Sequence, residues 1–473
     1  MTRVSILIII SVLGLSLFAC VSNNSEDLPN IILIMADDLG WGDTGFNGNE
    51  IIITPSLDEL AENGVVFRRF YSAAPVCSPT RASCLTGRHP YRMGIYNANS
   101  GFLKMEELTL AELLKRNGYV TGHFGKWHLG TLTNTVLDAN RGGRGDTSIY
   151  SPPWENGFDV CFSTESKVPT WDPMITPGIE AGDIGNRVPG SDFGTYYWTG
   201  EGEIVKDNLD GDDSRIIMDR VIPFINAAVE NNNPFLAVIW FHTPHLPVLT
   251  GSEYQRLYTD YSTDIQQYYG AITAMYNQVG RLVNLLKSNN VYNNTIIFFT
   301  SDNGPEGMLR QGRTQGSTAG FKGRKRSLYE GGIRVPGFMT WPDKIQIPSL
   351  SDIPVSTSDY YPTIMKITGI NLDDRVEPID GKDIMEMLSS PESNRNKPIG
   401  FLSGNQRALI SDRFKIYSSD NGKTYELYDL INDPYEIYDL INTHEKKASD
   451  MVIALESWIY SCNESDKGKD YRD

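Results

Sequence analysis

Basic residues are scarce in this chain of 473, with 42 Lys and Arg against 59 Asp and Glu and a formal charge of −17. A surface of that sign excludes nucleic acid as the main partner, because phosphate binding needs a basic face. Any site for an anion must therefore carry its own local cluster of cations. Cysteine is scarce too: five residues without framework spacing, so disulfides do not organise the fold. Histidine occurs six times, which makes each placement informative. Internal repeats are absent, and 40% hydrophobic with 21% charged residues excludes wholesale disorder. The length favours one large domain with a smaller one.

Arg3 followed by the apolar run Ile6 to Phe18 reads as an export signal, too short and too terminal for a membrane span. Leu17-Phe18-Ala19-Cys20 resembles a bacterial lipobox, with Phe18 bulkier than the residue usual there. The expectation is a signal peptide over 1–20, a lipid anchor on Cys20 and a polar tether over 21–28. The protein is then periplasmic or membrane-anchored. Simple cleavage to a soluble periplasmic chain is the alternative.

Asn30 to Met35 is a short continuous apolar run ending in Asp37-Asp38-Leu-Gly. Such runs suit strands buried on both faces. Tyr119 to Phe124, Phe235 to Phe241 and Thr295 to Thr300 repeat the pattern, with helical stretches such as Leu108 to Arg116 and Gln266 to Lys287 between them. The expected fold is α/β, a large and mostly parallel sheet sandwiched by helices. Ligands in such folds bind at the carboxyl ends of the strands. A catalytic domain over 29–350 would carry an irregular insertion over 131–215, followed by a smaller α+β subdomain over 351–473. There Asp359-Tyr-Tyr-Pro-Thr opens a helix, Asn421-Gly422 marks a hairpin, and Met451 to Tyr460 closes the chain as a helix.

The sharpest local signal is Ala74-Pro-Val-Cys77-Ser-Pro-Thr-Arg81-Ala-Ser-Cys-Leu-Thr-Gly87. Pro79 suits a first helical turn and Gly87 a helix end, so Cys77 falls at or just before a helix N-terminus, which favours an anion. Arg81 lies on the same helical face. The segment alone leaves two readings open, an activated cysteine or a buried free thiol at a helix cap. Asp37, Asp38, Asp302 and Asn303 form a hard oxygen set suited to Ca²⁺ or Mg²⁺ once two strand ends are brought together. Lys126 and His128 follow the Tyr119 to Phe124 run, His245 follows Phe235 to Phe241, and Lys325 lies in the basic stretch before Tyr329-Glu-Gly-Gly332. Together they supply the positive potential that the whole chain lacks.

Cys77-Ser-Pro-Thr-Arg81 with the following Ala-Ser-Cys-Leu-Thr-Gly87 resembles the Cys-x-Pro-x-Arg signature of the formylglycine-dependent sulfatases, of the alkaline phosphatase superfamily. The likeness runs from Asn30 to at least Leu430, with the expected motifs in order. It implies that a maturation enzyme oxidises Cys77 to an aldehyde, whose hydrate attacks sulfur with one oxygen and expels sulfate through the other. It implies calcium held by Asp37, Asp38, Asp302, Asn303 and residue 77. Arg81 and Lys126 would hold the nucleophile and the sulfate. His128 would be the base for sulfate release, and His245 and Lys325 would face the bridging and terminal oxygens. Lys322 is the rival of Lys325, and His242 of His245. Asp43 matches nothing; His89, His123 and His444 are read as structural. Tyr276 stands where the family commonly has an acid, at a position that is not catalytic.

With the lipobox, the chain resembles the carbohydrate sulfatases of glycan-degrading bacteria, which implies a sulfated poly- or oligosaccharide as substrate. Aromatics in loops near Trp154, Trp171 and Tyr196 to Trp198 are candidates for stacking on sugar rings. The competing activities are hydrolysis of phosphate or phosphonate monoesters, or binding of sulfated glycans without turnover.

Overall fold

A computed structural model describes residues 28–141, 145, 147–371, 378–389 and 394–471. The export signal, Cys20 and the tether up to residue 27 lie outside them. Among the described residues no helix is long and apolar enough to cross a membrane.

Five parallel strands form the centre of the molecule: β1 (Asn30–Ala36), β2 (Val120–Lys126), β3 (Val160–Thr164), β4 (Phe235–Trp240) and β5 (Thr295–Ser301), in the spatial order β5-β1-β4-β2-β3. Antiparallel strands flank them, Gly337–Thr340 on β5 and Trp198–Gly200 on β3, and the whole sheet has ten strands. The four apolar runs read from sequence are β1, β2, β4 and β5, and β3 is an addition. Alternate residues of β1 show why its run from Ile31 to Ala36 is continuously apolar: Ile31, Leu33 and Met35 enter one core, Ile32, Ile34 and Ala36 the other. Every residue of β1 is buried, and each such side chain contributes about 1.5–3 kcal/mol of transfer free energy.

Helix α1 (Cys77–Thr86) packs on one face, together with Leu110–Arg116 and Tyr360–Thr368. Helices α2 (Asp213–Glu230) and α3 (Thr263–Ser288) cover the other. The segment 131–215 is less irregular than its composition implies, since it contributes β3 and the flanking Trp198–Gly200 strand. Its aromatics mostly pack beneath it: Phe158, Tyr197 and Trp198 are buried, and Tyr197 stacks on Phe162 at 4.0 Å. Those rings serve the core rather than a sugar. Trp154, Trp171 and Tyr196 are half-buried.

A four-stranded antiparallel sheet begins at Ile399 and holds the Asn421-Gly422 hairpin, whose two turn residues both have positive φ. Helix Glu445–Asp466 covers one of its faces, longer at both ends than the stretch read from sequence. Tyr71, Leu328 and Ile333 cover the other face, fastening this subdomain to the main body. Between residue 351 and that sheet, Tyr360, Tyr361, Ile364, Ile384 and Met387 belong to the large core. Cys77, Cys84, Cys161 and Cys462 are all buried and free, so Cys161 and Cys462 do not pair.

Candidate active site

The carboxyl ends of the central strands deliver the polar groups to one place. β1 runs into Asp37 and Asp38, β2 ends at Lys126, β4 leads to His245, and β5 leads to Asp302 and Asn303. Helix α1 brings Cys77 as its first residue and closes at Gly87 with φ 69, the geometry that a residue without Cβ adopts at low cost. Ligand atoms of Asp37, Asp38, Cys77 and His245 all lie within 4.8 Å of one another.

Three cations neutralise three carboxylates. Lys126 Nζ donates to Asp37 Oδ2 at 2.6 Å and Lys325 Nζ to Asp38 Oδ2 at 2.8 Å. Arg81 donates to Asp302 Oδ2 at 2.6 Å and to the Lys126 carbonyl at 3.1 Å. The Asp38 backbone N–H donates to Asp302 Oδ1 at 3.1 Å, joining the ends of β1 and β5. Asp37, Arg81, Asp302 and Asn303 are wholly buried. Burial alone would raise the Asp37 pKa, but Lys126, His245 and Arg81 outweigh it and hold the carboxyl well below its usual range. Burial with repulsion from Asp37 pushes Asp302 up to about 7.

Asp37 Oδ1, Asn303 Oδ1 and Arg81 Nε are buried without a hydrogen-bond partner. Buried polar atoms are rarely left so. Two unspent oxygen acceptors beside Asp38 and Asp302 are what a hard cation takes, so the residues present fit a divalent metal. Burial pushes the Cys77 thiol up to about 11 despite Lys126 and Lys325. That environment does not favour the activated thiolate that the segment alone allowed.

The rivals separate cleanly. Lys322 donates to Tyr428 Oη at 3.2 Å, away from the carboxylates that Lys325 meets. His242 is locked between Asp213 Oδ2 at 2.8 Å and Thr164 Oγ1 at 2.7 Å. His245 Nδ1 donates to the Leu246 carbonyl at 2.6 Å, which turns Nε2 toward Asp38 Oδ2 at 3.6 Å. Asp43 is tied to Tyr268, Gly40 and Ser317, a structural carboxylate. His128 is buried beyond Lys126, its Nε2 2.9 Å from Asn99 Oδ1. Sequence reasoning missed Asn99 and Arg141, which contact His128, Glu165, which pairs with Arg141, and Glu306, which sits 3.3 Å from Lys325. All four lie in loops or at a strand end, with no periodicity or motif to mark them.

A sheet of alkaline-phosphatase type with buried carboxylates, lysines and a helix-start cysteine at its carboxyl edge defines an ester hydrolase for an anionic ester. The chain belongs to the sulfatase family, whose model matches residues 29–370, and it is a sulfuric ester hydrolase. A second model, the C-terminal region of N-sulphoglucosamine sulphohydrolase, matches residues 320–463. Steryl-sulfatase of Homo sapiens is 32% identical over 419 residues, 77% of this chain and 70% of that protein. N-acetylgalactosamine-6-sulfatase of Mus musculus is 30% identical over 421 residues, 86% of this chain and 74% of that protein. Among solved structures, Ps i-CgsB in complex with k-i-k-neocarrahexaose matches with a TM-score of 0.78 and 28% identity, over 94% of this chain and 97% of that one. The PsFucS1 sulfatase from Pseudoalteromonas sp. shares the fold, with a TM-score of 0.76 at 23% identity over 93% of this chain and 91% of that one.

Proposed function

We propose that the protein hydrolyses sulfate esters on a sulfated poly- or oligosaccharide, with formylglycine made from Cys77 and a calcium ion held by Asp37, Asp38, residue 77, Asp302 and Asn303. The observation that carries this reading is the convergence of Asp37, Asp38, Cys77 and His245 within 4.8 Å, with Lys126 and Lys325 on the two carboxylates. A hydrated aldehyde at residue 77 supplies an oxygen nucleophile. A hard divalent cation would lower the cost of negative charge on that oxygen and on the sulfate.

The chain's own groups do the rest. Arg81, four residues along α1 from Cys77, fixes Asp302 and keeps an N–H unspent. Lys126 and Lys325 place positive charge where sulfate oxygens gather, which compensates locally for the acidic surface. Lys325 and His245 face the bridging and terminal oxygens, and one of them gives the leaving alcohol its proton. His128 takes the proton whose loss expels sulfate. The near-complete burial of these side chains excludes water and strengthens each contact.

The carbohydrate reading draws support from the similarity to N-acetylgalactosamine-6-sulfatase and to a structure holding a neocarrahexaose. Attachment through Cys20 and action outside the cytoplasm, with a maturation enzyme as partner, complete the proposal. The test is the mass of the tryptic peptide Phe70 to Arg81 from protein made alongside a formylglycine-generating enzyme, followed by sulfate release from a panel of sulfated sugars. Loss of sulfur with gain of an aldehyde, and release of sulfate faster than phosphate from matched esters, is the expected result. An intact thiol under those conditions sinks the mechanism, and faster phosphate release sinks the sulfate assignment.

A further inference from the structure

His128 has a positive φ of 58 and presents its two ring nitrogens to unlike surroundings. Nε2 lies 2.9 Å from Asn99 Oδ1. The same oxygen accepts from Asn140 Nδ2 at 3.3 Å, which orients the amide with its oxygen toward the ring. An amide oxygen only accepts, which places the imidazole proton on Nε2. Nδ1 is buried with no hydrogen-bond partner, its lone pair unspent.

Asn99 itself is exposed, and a surface amide does not stay in place unaided. Arg141, whose side chain is 4% exposed, supplies the anchor. It donates to the carbonyls of Ala98 at 2.9 Å and Gly101 at 2.8 Å, on either side of Asn99. It also donates to Ser78 Oγ and to the His128 carbonyl, both at 3.0 Å. Glu165, fully buried, balances the guanidinium at 3.2 Å and accepts from the Asn140 backbone N–H at 3.2 Å. One cation therefore ties together the loop that carries Asn99, the residue after Cys77, and His128.

We propose that Asn99 is a positioning residue, which holds His128 as the Nε2–H tautomer so that Nδ1 is the atom that accepts the proton. This rests on the reading of His128 as the base for sulfate release. A neutral amide suits the task. It orients the ring, as a carboxylate does in a serine-protease triad, without favouring the imidazolium as a carboxylate would. The charged groups acting on the ring are Lys126, Arg141 and Arg81 on one side of the balance and Asp37 on the other, and cations predominate.

The test is ¹⁵N spectroscopy of the mature enzyme labelled only at histidine, with the His128 signals assigned by their loss in His128→Gln. The expected spectrum has a pyrrole-type signal at Nε2 and a pyridine-type signal at Nδ1. Asn99→Leu, at an exposed position that packing does not constrain, should mix the tautomers and lower kcat by about 10- to 100-fold with little change in KM, by analogy with the loss of a partner that orients a metal-ligating histidine. Asn99→Asp keeps an acceptor oxygen and should restore the single tautomer with more turnover than Asn99→Leu. A proton on Nδ1 in the unsubstituted enzyme, or wild-type tautomer and kcat in Asn99→Leu, overturns the proposal. Wild-type turnover in His128→Gln would instead overturn the reading of His128 as the base, and the tautomer spectra would still decide what Asn99 does.

Discussion

Arg81 Nη2 stands 2.6 Å from Asp302 Oδ2, a contact between wholly buried side chains separated by 221 residues of chain. The guanidinium also lies 3.6 Å from Asp37 and over the Trp240 ring at 5.1 Å. Helix α1, which begins at Cys77, is thus locked to the ends of β1 and β5. Cys77, proposed as the site of modification, and the carboxylates proposed to hold the metal form one rigid unit.

Cys77→Ala should abolish sulfate release while leaving the far-ultraviolet circular dichroism and the melting temperature close to wild type. The thiol makes no hydrogen bond that an alanine methyl would forfeit in the described structure, and its loss removes a single buried sulfur. Hydrolysis that survives this substitution refutes the proposed chemistry.

Chelation should lower both activity and Tm, and calcium should restore both, because a ligand that binds only the folded state stabilises it by RT ln(1 + [L]/Kd). Asp38→Asn removes one carboxylate of the cluster and should weaken the dependence of Tm on calcium concentration. Metal analysis of the purified protein alongside a titration of Tm checks this. A melting temperature indifferent to both chelator and calcium counts against a structural metal.

His89 predicts an acid limb in stability. Burial pushes its pKa down to about 3 from 6.5, although Asp380 pulls the other way. Below pH 6.5 the unfolded chain takes up a proton that the folded chain refuses, so stability falls as pH drops, by about 1.4 kcal/mol per unit from this group. His89 Nδ1 accepts from the Tyr91 N–H at 3.3 Å, and Asn is a good capping residue there. His89→Asn should therefore lose stability at pH 7.5 but close roughly 2 kcal/mol of that gap by pH 5. Denaturant melts at the two pH values measure it; a constant gap would show that His89 does not titrate as burial dictates.

Lys415 is fully buried between Glu330 Oε1 at 3.1 Å and Glu436 Oε1 at 2.8 Å, where the C-terminal sheet meets the main body. Lys415→Met leaves buried Glu436 without its cation and Glu330 with only Arg334 and Tyr71 among the described residues, and should cost about 3–5 kcal/mol. Adding Glu436→Gln should recover part of that loss. Glu330 lies five residues after Lys325, so turnover should fall along with stability. Equilibrium unfolding of the single and double variants is the check.

Four of the five central strands were legible in the sequence because burial on both faces favours a short, mainly apolar run. The Cys77-to-Arg81 segment was legible because Pro79, Gly87 and the four-residue spacing each restrict the backbone locally. Val160–Thr164 was harder. It starts with an exposed Val160 and sits inside a stretch of Gly, Pro and Asp, so its run is short and its surroundings read as loop. Nothing in Arg141 or Glu165 marks them as a buried pair, since a charged residue in a loop is ordinarily solvated.

By itself, the sequence determined which residue types reach the end of each strand: Asp37 and Asp38, Lys126 and His128, His245, Asp302 and Asn303. Strand identity follows from local hydrophobic pattern, and the residue after a strand goes wherever the strand ends. Which of them meet is a matter of the three-dimensional packing. It put Lys325 rather than Lys322 on Asp38, sent His242 into a buried pair with Asp213, and left Cys161 and Cys462 apart. Those choices depend on strand order and on the path of long loops. Both are set by packing between residues distant in sequence, which no local pattern encodes.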